Sequence, residues 1–202
     1  MKTNREIRAA ARASLGGGPF TTLWITALLV TLVYSILTNI LSSFPFGFLL
    51  SLPMILGLRS IFLSLLRGAD RIDLADLFYA FRGERFLRAL GLALLQTLYL
   101  LLWAILLVVP AIVKSYSYRL AYYVALDNPE LTANDCITMS RRLMEGYKWK
   151  AFLLDLSFLG WILLGLLTCG IGYLFVAPYM NAAHASFYHS LMEQKDNWQV
   201  GK

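Results

Sequence analysis

Five ionisable side chains interrupt long apolar stretches of the sequence and are the first candidates for chemistry. They are Arg59, Lys114, Arg119, Asp155 and His184. An ionised group held away from water requires an opposite charge, a wet cavity or a ligand, because its desolvation is costly. The set contains three cations and one carboxylate, so an enclosed site built from these residues carries excess positive charge. Such a site favours an anionic group, for example a phosphate headgroup or a carboxylate.

A simpler explanation is available for some of these residues, in which the side chain reaches an aqueous boundary and anchors a helix. Arg59 lies seven residues from one end of its apolar run and can extend to that end. Lys114 lies four residues past a predicted turn and can extend outward to it. Asp155 is within reach of Lys148 or Lys150. Anchoring and ligand binding therefore both stay open for these positions.

Arg119 is the hardest of the five to explain as an anchor, because it lies near the middle of a 16-residue apolar run. It must face the interior of a helix bundle, a wet cavity or an acidic partner. Asp155 is the natural candidate for that partner, and we predict an Arg119–Asp155 ion pair.

The last apolar run carries a line of polar side chains. At 100° per residue, Tyr173, Asn181, His184 and Tyr188 fall within an arc of about 80° on a helix, which predicts a polar seam facing inward. Pro178 is expected to kink this helix and free a backbone carbonyl. The candidate binding residues are therefore Arg59, Lys114, Arg119, Asp155, Asn181, His184 and Tyr188.

Sequence signatures of enzymes are missing. No HExxH, GxSxG or Walker loop occurs, and no GxGxxG follows a strand. His184 and His189 are five residues apart, which places them on different faces of a helix and makes joint metal binding unfavourable. We therefore expect no catalytic residues, no metal site and no cofactor, and a protein that is not an enzyme.

The composition indicates an integral membrane protein. Hydrophobic residues make up 58% of the 202 residues and charged residues 15%, and the mean hydropathy is +0.62. A soluble domain needs a more polar surface. Six runs approach the roughly 20 apolar residues that cross a bilayer. They are Phe20–Leu41, Phe46–Leu66, Arg88–Val109, Ala111–Leu126, Ala151–Cys169 and Ile171–Ser190.

The distribution of cations supports six spans over five. With six, the N-terminus, the segments 67–87 and 127–150 and the C-terminus lie on one side and contain the Lys and Arg residues between the runs. The turns near Ser42–Pro45, Pro110 and Gly170 then lie opposite and contain none. The positive-inside rule places both termini in the cytoplasm. The net charge of +6 is explained by this orientation, so we expect no nucleic-acid partner.

Each polar segment predicts a short amphipathic helix that ends at glycine and precedes a two-span hairpin. The first has a capping box at Thr3 and Glu6, and the third has a possible cap at Thr132. Gly18, Gly83 and Gly146 are 65 and 63 residues apart. We predict one all-α membrane domain, 1–202, of six transmembrane helices in three hairpins, each preceded by a short amphipathic cytoplasmic helix. The units are 1–66, 67–126 and 127–202, although any six-span chain with short outer turns also looks periodic.

An ordered set of motifs resembles a known family across nearly the whole chain. The set includes Leu102-Trp103, Val109-Pro110, Asp127-Asn128-Pro129, Ser140-Arg141-Arg142-Leu143-Met144-Glu145-Gly146, Gly170-Ile171-Gly172 and Pro178-Tyr179. The resemblance is to small bacterial integral membrane proteins catalogued as domain of unknown function 975. It implies a bacterial, multi-pass protein of the cell membrane and supplies no activity. The family often has glycine where this chain has Ala111.

These observations favour two classes of function over a third, an intramembrane enzyme that acts on lipid and needs acid, base and nucleophile groups near one depth. The first is non-enzymatic binding or transport of a small molecule or lipid, or an accessory role in transport, with an anionic lipid or small anion as the ligand. The second is a structural or regulatory module that recruits partners through its cytoplasmic amphipathic helices. Pairs of small residues such as Ala89/Ala93 and Ala182/Ser186 permit close helix contact, either within one chain or in a homo-oligomer.

Overall fold

The computed structural model describes residues 2–18, 21–44, 46–83, 85–106, 108–167 and 171–200. All regular elements in these ranges are helices. They are α1 Asn4–Ser14, α2 Thr22–Ser42, α3 Gly47–Leu66, a 3₁₀ helix Leu74–Phe81, α4 Arg85–Leu106, α5 Val108–Tyr118, α6 Ala121–Asp127, α7 Ala133–Leu143, α8 Lys148–Leu156, α9 Leu159–Leu167 and α10 Ile171–Val200.

Three helices of the described ranges are long and apolar enough to cross a membrane: Thr22–Ser42, Gly47–Leu66 and Arg85–Ile105. Their 20 or 21 residues extend about 30 Å at 1.5 Å per residue, which matches the thickness of the hydrocarbon layer. They correspond to the first three predicted spans. The protein therefore has the character of an all-α membrane protein.

The other three predicted spans do not each correspond to one helix of that length. The fourth is divided between α5 and α6, and the fifth between α8 and α9. The sixth is the first part of the 30-residue α10. The turn predicted at Gly170, like Phe20, Pro45 and Cys169, lies outside the described residues.

Two of the three predicted amphipathic helices form as expected. The Thr3 hydroxyl accepts from the Glu6 amide at 3.3 Å, and the Thr3 amide donates to Glu6 Oε2 at 2.6 Å, which completes the capping box of α1. Thr132 caps α7 by accepting from the Asp135 amide at 3.3 Å. Both apolar stripes are buried within the protein. The buried residues are Ile7, Ala11 and Leu15 from the first segment and Cys136, Ile137, Ser140 and Met144 from the third.

The second amphipathic segment forms a 3₁₀ helix. Residues three apart are aligned in a 3₁₀ helix, which places Leu77 and Ala80 on a buried side and Phe78 and Phe81 on an exposed side; Leu74, at the start of the helix, is also exposed. A Cβ at Gly57 of α3 would meet the Leu77 carbonyl directly, so glycine permits the close packing of these two elements.

The centre of α10 forms the middle of the packed core. Its residues from Ala182 to Tyr188 are buried in succession, which places neighbours on every side of this helix. Contacts with α1, α2, α3 and α9 supply them. Small side chains at Ala182, Ala183 and Ala185 allow the neighbours to approach closely.

Two ends of the helix bundle have apolar surfaces, which we call the apolar tips. They are the described residues of 36–50 at the α2–α3 connection and of 98–113 at the α4–α5 connection, and neither range contains a charged residue. Phe46 is 75% exposed, Ile105 73% and Val109 71%. Surfaces of this kind are suited to contact with lipid chains.

Candidate functional site

Several predicted polar residues converge on the carboxylate of Asp155. Arg119 Nη2 lies 2.8 Å from Asp155 Oδ2, which confirms the predicted ion pair. His184 Nε2 lies 3.0 Å from Asp155 Oδ1, and the Tyr116 hydroxyl donates to Oδ2 at 3.1 Å. Asp155 therefore links side chains from α5, α8 and α10 and from the α5–α6 junction.

Arg119 lies where the fourth predicted span is interrupted. The hydroxyl of Ser140, from α7, donates to the Ser117 carbonyl at 2.8 Å and accepts from the Leu120 amide at 3.2 Å. One buried side chain thus satisfies backbone groups on both sides of the junction, as a membrane interior or protein core requires. Ser140 lies on the buried stripe of α7, and nothing in the sequence pattern indicated this bridge.

His184 contacts both members of the ion pair through the same ring nitrogen. Its Nε2 is 3.0 Å from Asp155 Oδ1 and 3.2 Å from Arg119 Nη2, and one nitrogen cannot donate to the first and accept from the second. Because Arg119 already bonds Asp155, we assign the proton to Nε2, donating to Asp155. Nδ1 is then a buried acceptor with no hydrogen-bond partner among the described residues.

Arg59 is held inside the protein by neutral groups. Its Nη1 donates to Asn181 Oδ1 at 3.0 Å and to the Tyr123 hydroxyl at 3.3 Å. Its guanidinium carbon lies 5.6 Å from the centre of the Tyr123 ring. Nε is buried without a hydrogen-bond partner, and no acidic side chain of the described residues pairs with Arg59. The side chain therefore points to interior partners instead of the end of α3.

Arg59 and the Arg119–Asp155 pair line one cavity of about 380 Å³, which we call the central cavity. Gln96 also lines it, and its buried Oε1 has no hydrogen-bond partner among the described residues. Gln96 was not predicted, although an amide in the apolar third run was the available signal. The full lining is Ile55, Arg59, Gln96, Leu100, Ile112, Ser115, Tyr116, Arg119, Tyr122 and Asp155.

Asn181 and His184 belong to the site because Asn181 bonds Arg59 and His184 contacts the Arg119–Asp155 pair. Tyr188 lies outside the site. The Tyr188 hydroxyl donates to Asp127 Oδ2 at 2.7 Å, and its ring stacks on Tyr123 at 5.2 Å. Arg67 bonds the same Asp127 oxygen at 2.6 Å, and this hydrogen bond raises the pKa of Arg67. The predicted seam is therefore divided between two polar clusters. The side chain of Tyr173 lies outside those that the structure describes.

Lys114 lies away from the central cavity. Its Nζ is 4.7 Å from the centre of the Trp103 ring, and it lines a separate depression with Arg141, Arg142 and Lys148. Lys114 therefore does not share the central cavity with Arg59 and Arg119. Packing of α5 against α7 and α8 brings it to residues of the 127–150 segment.

Comparison with known proteins supplies a family. The model of a family described as "Protein of unknown function (DUF975)" matches residues 1–121 and 104–195. No curated protein and no solved structure matches the chain. The two matched segments overlap and together reach from the first residue to residue 195, so the chain belongs to the DUF975 family of proteins of unknown function.

Proposed function

We propose that this protein is a non-enzymatic, six-span protein of the bacterial cell membrane that binds an anionic small molecule or lipid group in the central cavity. The observation that carries the proposal is the charge of that cavity. Asp155 neutralises Arg119, whereas Arg59 has only neutral partners among the described residues. A positive charge inside a membrane protein is costly unless an anion accompanies it.

The dimensions and polarity of the central cavity support a small ligand. A volume of about 380 Å³ lies in the range of roughly 300–1,000 Å³ that is usual for small-molecule sites. Arg59 lines the cavity and can donate to the ligand through its guanidinium, and the amide of Gln96, which also lines it, can donate or accept. Leu100 and Ile112 of the lining belong to an apolar tip, which favours a ligand with an apolar portion.

The interrupted helices support six spans, and the distribution of Lys and Arg between the apolar runs supports termini in the cytoplasm. Irregular backbone at membrane depth is tolerated where it is enclosed by protein or lines a cavity, and Arg119 at the α5–α6 junction lines the central cavity. Broken helices around a ligand are a feature of transporters, so a transport or transport-accessory role fits this arrangement.

The surroundings of His184 support the non-enzymatic part of the proposal. The His184–Asp155 pair resembles the base and orienting acid of hydrolases. Nδ1 of His184, however, has no hydroxyl or thiol partner among the described residues. The pair is better explained as a means of holding Arg119 and Asp155 in place.

The second candidate is a structural or regulatory module that recruits a protein partner or a second copy. Its amphipathic helices α1 and α7 already bury their apolar stripes within the chain. Recruitment would depend on Leu74, Phe78 and Phe81 of the 3₁₀ helix, which are 46%, 46% and 36% exposed. The occupied faces of α1 and α7 favour the binding proposal.

Ligand-induced stabilisation tests the proposal with amphiphiles of matched chain length. Protein in a neutral detergent is heated with decanoate, decyl phosphate or decanol. We expect the two anions to raise the melting temperature and decanol not to, because only an anion compensates Arg59. Arg59→Gln should abolish this selectivity. Arg71→Gln, which removes an exposed arginine, is the matched control and should preserve it. Equal stabilisation by decanol, or an unchanged response of Arg59→Gln, would contradict the proposal.

A further inference from the structure

A second group of cations lies apart from the central cavity, around a depression of about 470 Å³. We call it the basic depression. Its charged lining residues are Lys114, Arg141, Arg142, Lys148 and Glu145. Four cations and one carboxylate therefore share a small surface, and none of these residues lines the central cavity.

Local structure explains how these cations meet. Arg141 and Arg142 occupy the last turn of α7, where positive charge is favoured by the helix dipole. The chain then reverses at Gly146, whose φ of +79° is readily adopted by glycine, and α8 begins at Lys148. Lys114 is added from α5, which packs against both α7 and α8. Three helices thus direct cations to one place.

The four cations lack ion-pair partners within the described part of the chain. Glu145 lines the depression without pairing with any of them, and Lys114 instead faces the ring of Trp103 at 4.7 Å. Neighbouring like charges repel one another, and an anion between them removes this repulsion. The arrangement is that of an anion site with most of its charge uncompensated.

Phosphate is the anionic group that fits these donors best. An arginine presents a planar fork that can bond two phosphate oxygens, and Arg141 and Arg142 supply two such forks. Lys114 and Lys148 add point charges, and the Thr138 hydroxyl also lines the depression. A carboxylate has only two oxygens for this number of donors.

Large apolar side chains border the basic depression. Leu102 is 51% exposed and, with Trp103, lines an adjoining groove that includes Lys114. Val113, next to Lys114 in sequence, is 44% exposed, and Trp149, next to Lys148, is 68% exposed. Tryptophan beside basic residues is typical of the boundary between headgroups and acyl chains. A free phosphate ion would gain nothing from these apolar neighbours.

We infer that the basic depression binds the phosphate group of an anionic phospholipid, with an acyl chain lying along Leu102 and Val113. Basic pockets between helices bind lipid headgroups by this chemistry. The inference is independent of the proposed function, because the two sites have no lining residue in common.

The test measures lipid retention by the full chain. Protein in a neutral detergent is titrated with phosphatidylglycerol or phosphatidylcholine, and bound lipid is counted by native mass spectrometry. We expect phosphatidylglycerol to bind more tightly. Each cation contributes about fivefold to binding an anionic headgroup, so Arg141→Gln/Arg142→Gln should weaken phosphatidylglycerol binding about 25-fold. Sodium phosphate at millimolar concentration should not displace it.

Two further variants distinguish specific binding at the depression from nonspecific attraction to charge and from the effect of misfolding. Arg5→Gln/Arg71→Gln removes the same charge from exposed positions outside the depression and should leave binding unchanged. Glu145→Gln removes the opposing carboxylate and should tighten phosphatidylglycerol binding severalfold, a gain that misfolding cannot imitate. Equal weakening by the control variant, equal binding of phosphatidylcholine, displacement by sodium phosphate, or no gain from Glu145→Gln would each overturn the inference.

Discussion

The two ends of α3 have similar apolar sequences and opposite surroundings. In the first turn Phe48 is 51% exposed and Leu50 45%, whereas near the other end Phe62 is fully buried and Ile61 is 2% exposed. The first turn belongs to an apolar tip, but Met54 is already buried, and α3 packs against α10, α6 and the 3₁₀ helix. Hydropathy identifies α3 as a helix that can cross a membrane but does not separate its exposed end from its buried part.

The same division occurs along α4. Leu92 is fully buried between Ala89 and Ala93, which are each 1% exposed, whereas Leu101 is 55% exposed. The small pair Ala89/Ala93 therefore makes its close contact within the chain. Both α3 and α4 therefore combine one part held by protein contacts with one part suited to lipid. The consequences of substitution should differ accordingly between the two regions.

The largest difference in stability is expected between alanine substitutions of two phenylalanines of α3. Phe62→Ala leaves a cavity in the packed core and should lower the free energy of unfolding by about 3–5 kcal/mol. Phe48→Ala removes a half-exposed side chain and should lower it by less than about 1 kcal/mol. Reversible unfolding in mixed micelles measures both. Similar losses at the two positions would show that the two ends of α3 do not differ as described.

A second comparison uses two helical glycines. A Cβ at Gly57 meets the backbone of Leu77 and Asp76, so Gly57→Ala must displace the 3₁₀ helix and should destabilise the protein by about 3 kcal/mol. Gly91 has no atom within 4 Å of an added Cβ. Gly91→Ala should therefore stabilise α4 by about 0.5–1 kcal/mol. The two melting temperatures should shift in opposite directions, and a shared direction would contradict the close packing at Gly57.

Substitution of two acidic residues compares the stability cost of losing an ion pair at the central cavity with that of losing one at the exposed surface. Asp155→Asn leaves the Arg119 charge without its partner and should cost about 2–3 kcal/mol, less than full burial predicts because both side chains are about a fifth exposed. Asp76→Asn removes a 4.0 Å contact with Arg82 at the surface and should change stability by less than about 0.5 kcal/mol. Denaturant titration of both variants measures the difference. If Arg119→Leu fails to rescue part of the loss in Asp155→Asn, the ion pair is not its cause.

Two buried serines test the interrupted helix. Ser140→Ala leaves the Leu120 amide and the Ser117 carbonyl without the bridging hydroxyl and should cost about 1–3 kcal/mol. Ser190→Ala removes only a local bond to the Phe187 carbonyl and should cost less than about 1 kcal/mol. Thermal unfolding distinguishes them. Equal costs would mean that the Ser140 bridge does not support the junction.

The smallest effect should appear as a pH dependence at the surface. The hydrogen bond from Lys2 lowers the pKa of Glu193, which joins α10 to the start of the chain. A lowered pKa stabilises the fold above the pKa of the unfolded carboxyl, and this contribution is lost as the pH falls through the folded pKa. Because both side chains are 43% exposed, the loss should be only a few tenths of a kcal/mol. Lys2→Gln should remove this part of the pH dependence, and an unchanged profile would argue against the contact.

Features set by neighbours in sequence were predictable. The capping box at Thr3 and Glu6 and the Thr132 cap act over three residues, so they can be recognised without knowledge of the fold. Long apolar segments follow from the requirements of a bilayer. The Arg119–Asp155 pair was also predictable, because an interior arginine needs an acid and few acids lie in the apolar runs.

Other features depended on how helices cross and how far side chains reach. Only packing decided that Lys114 joins Arg141 and Arg142 instead of Arg59, since a lysine side chain can extend in several directions from one helical position. Only packing brought the Ser140 hydroxyl to the α5–α6 junction and the Gln96 amide to the central cavity. The sequence by itself determined the membrane class and the inventory of charged and polar groups. The tertiary structure decided which of these groups share a site, because that depends on distances between residues far apart in the chain.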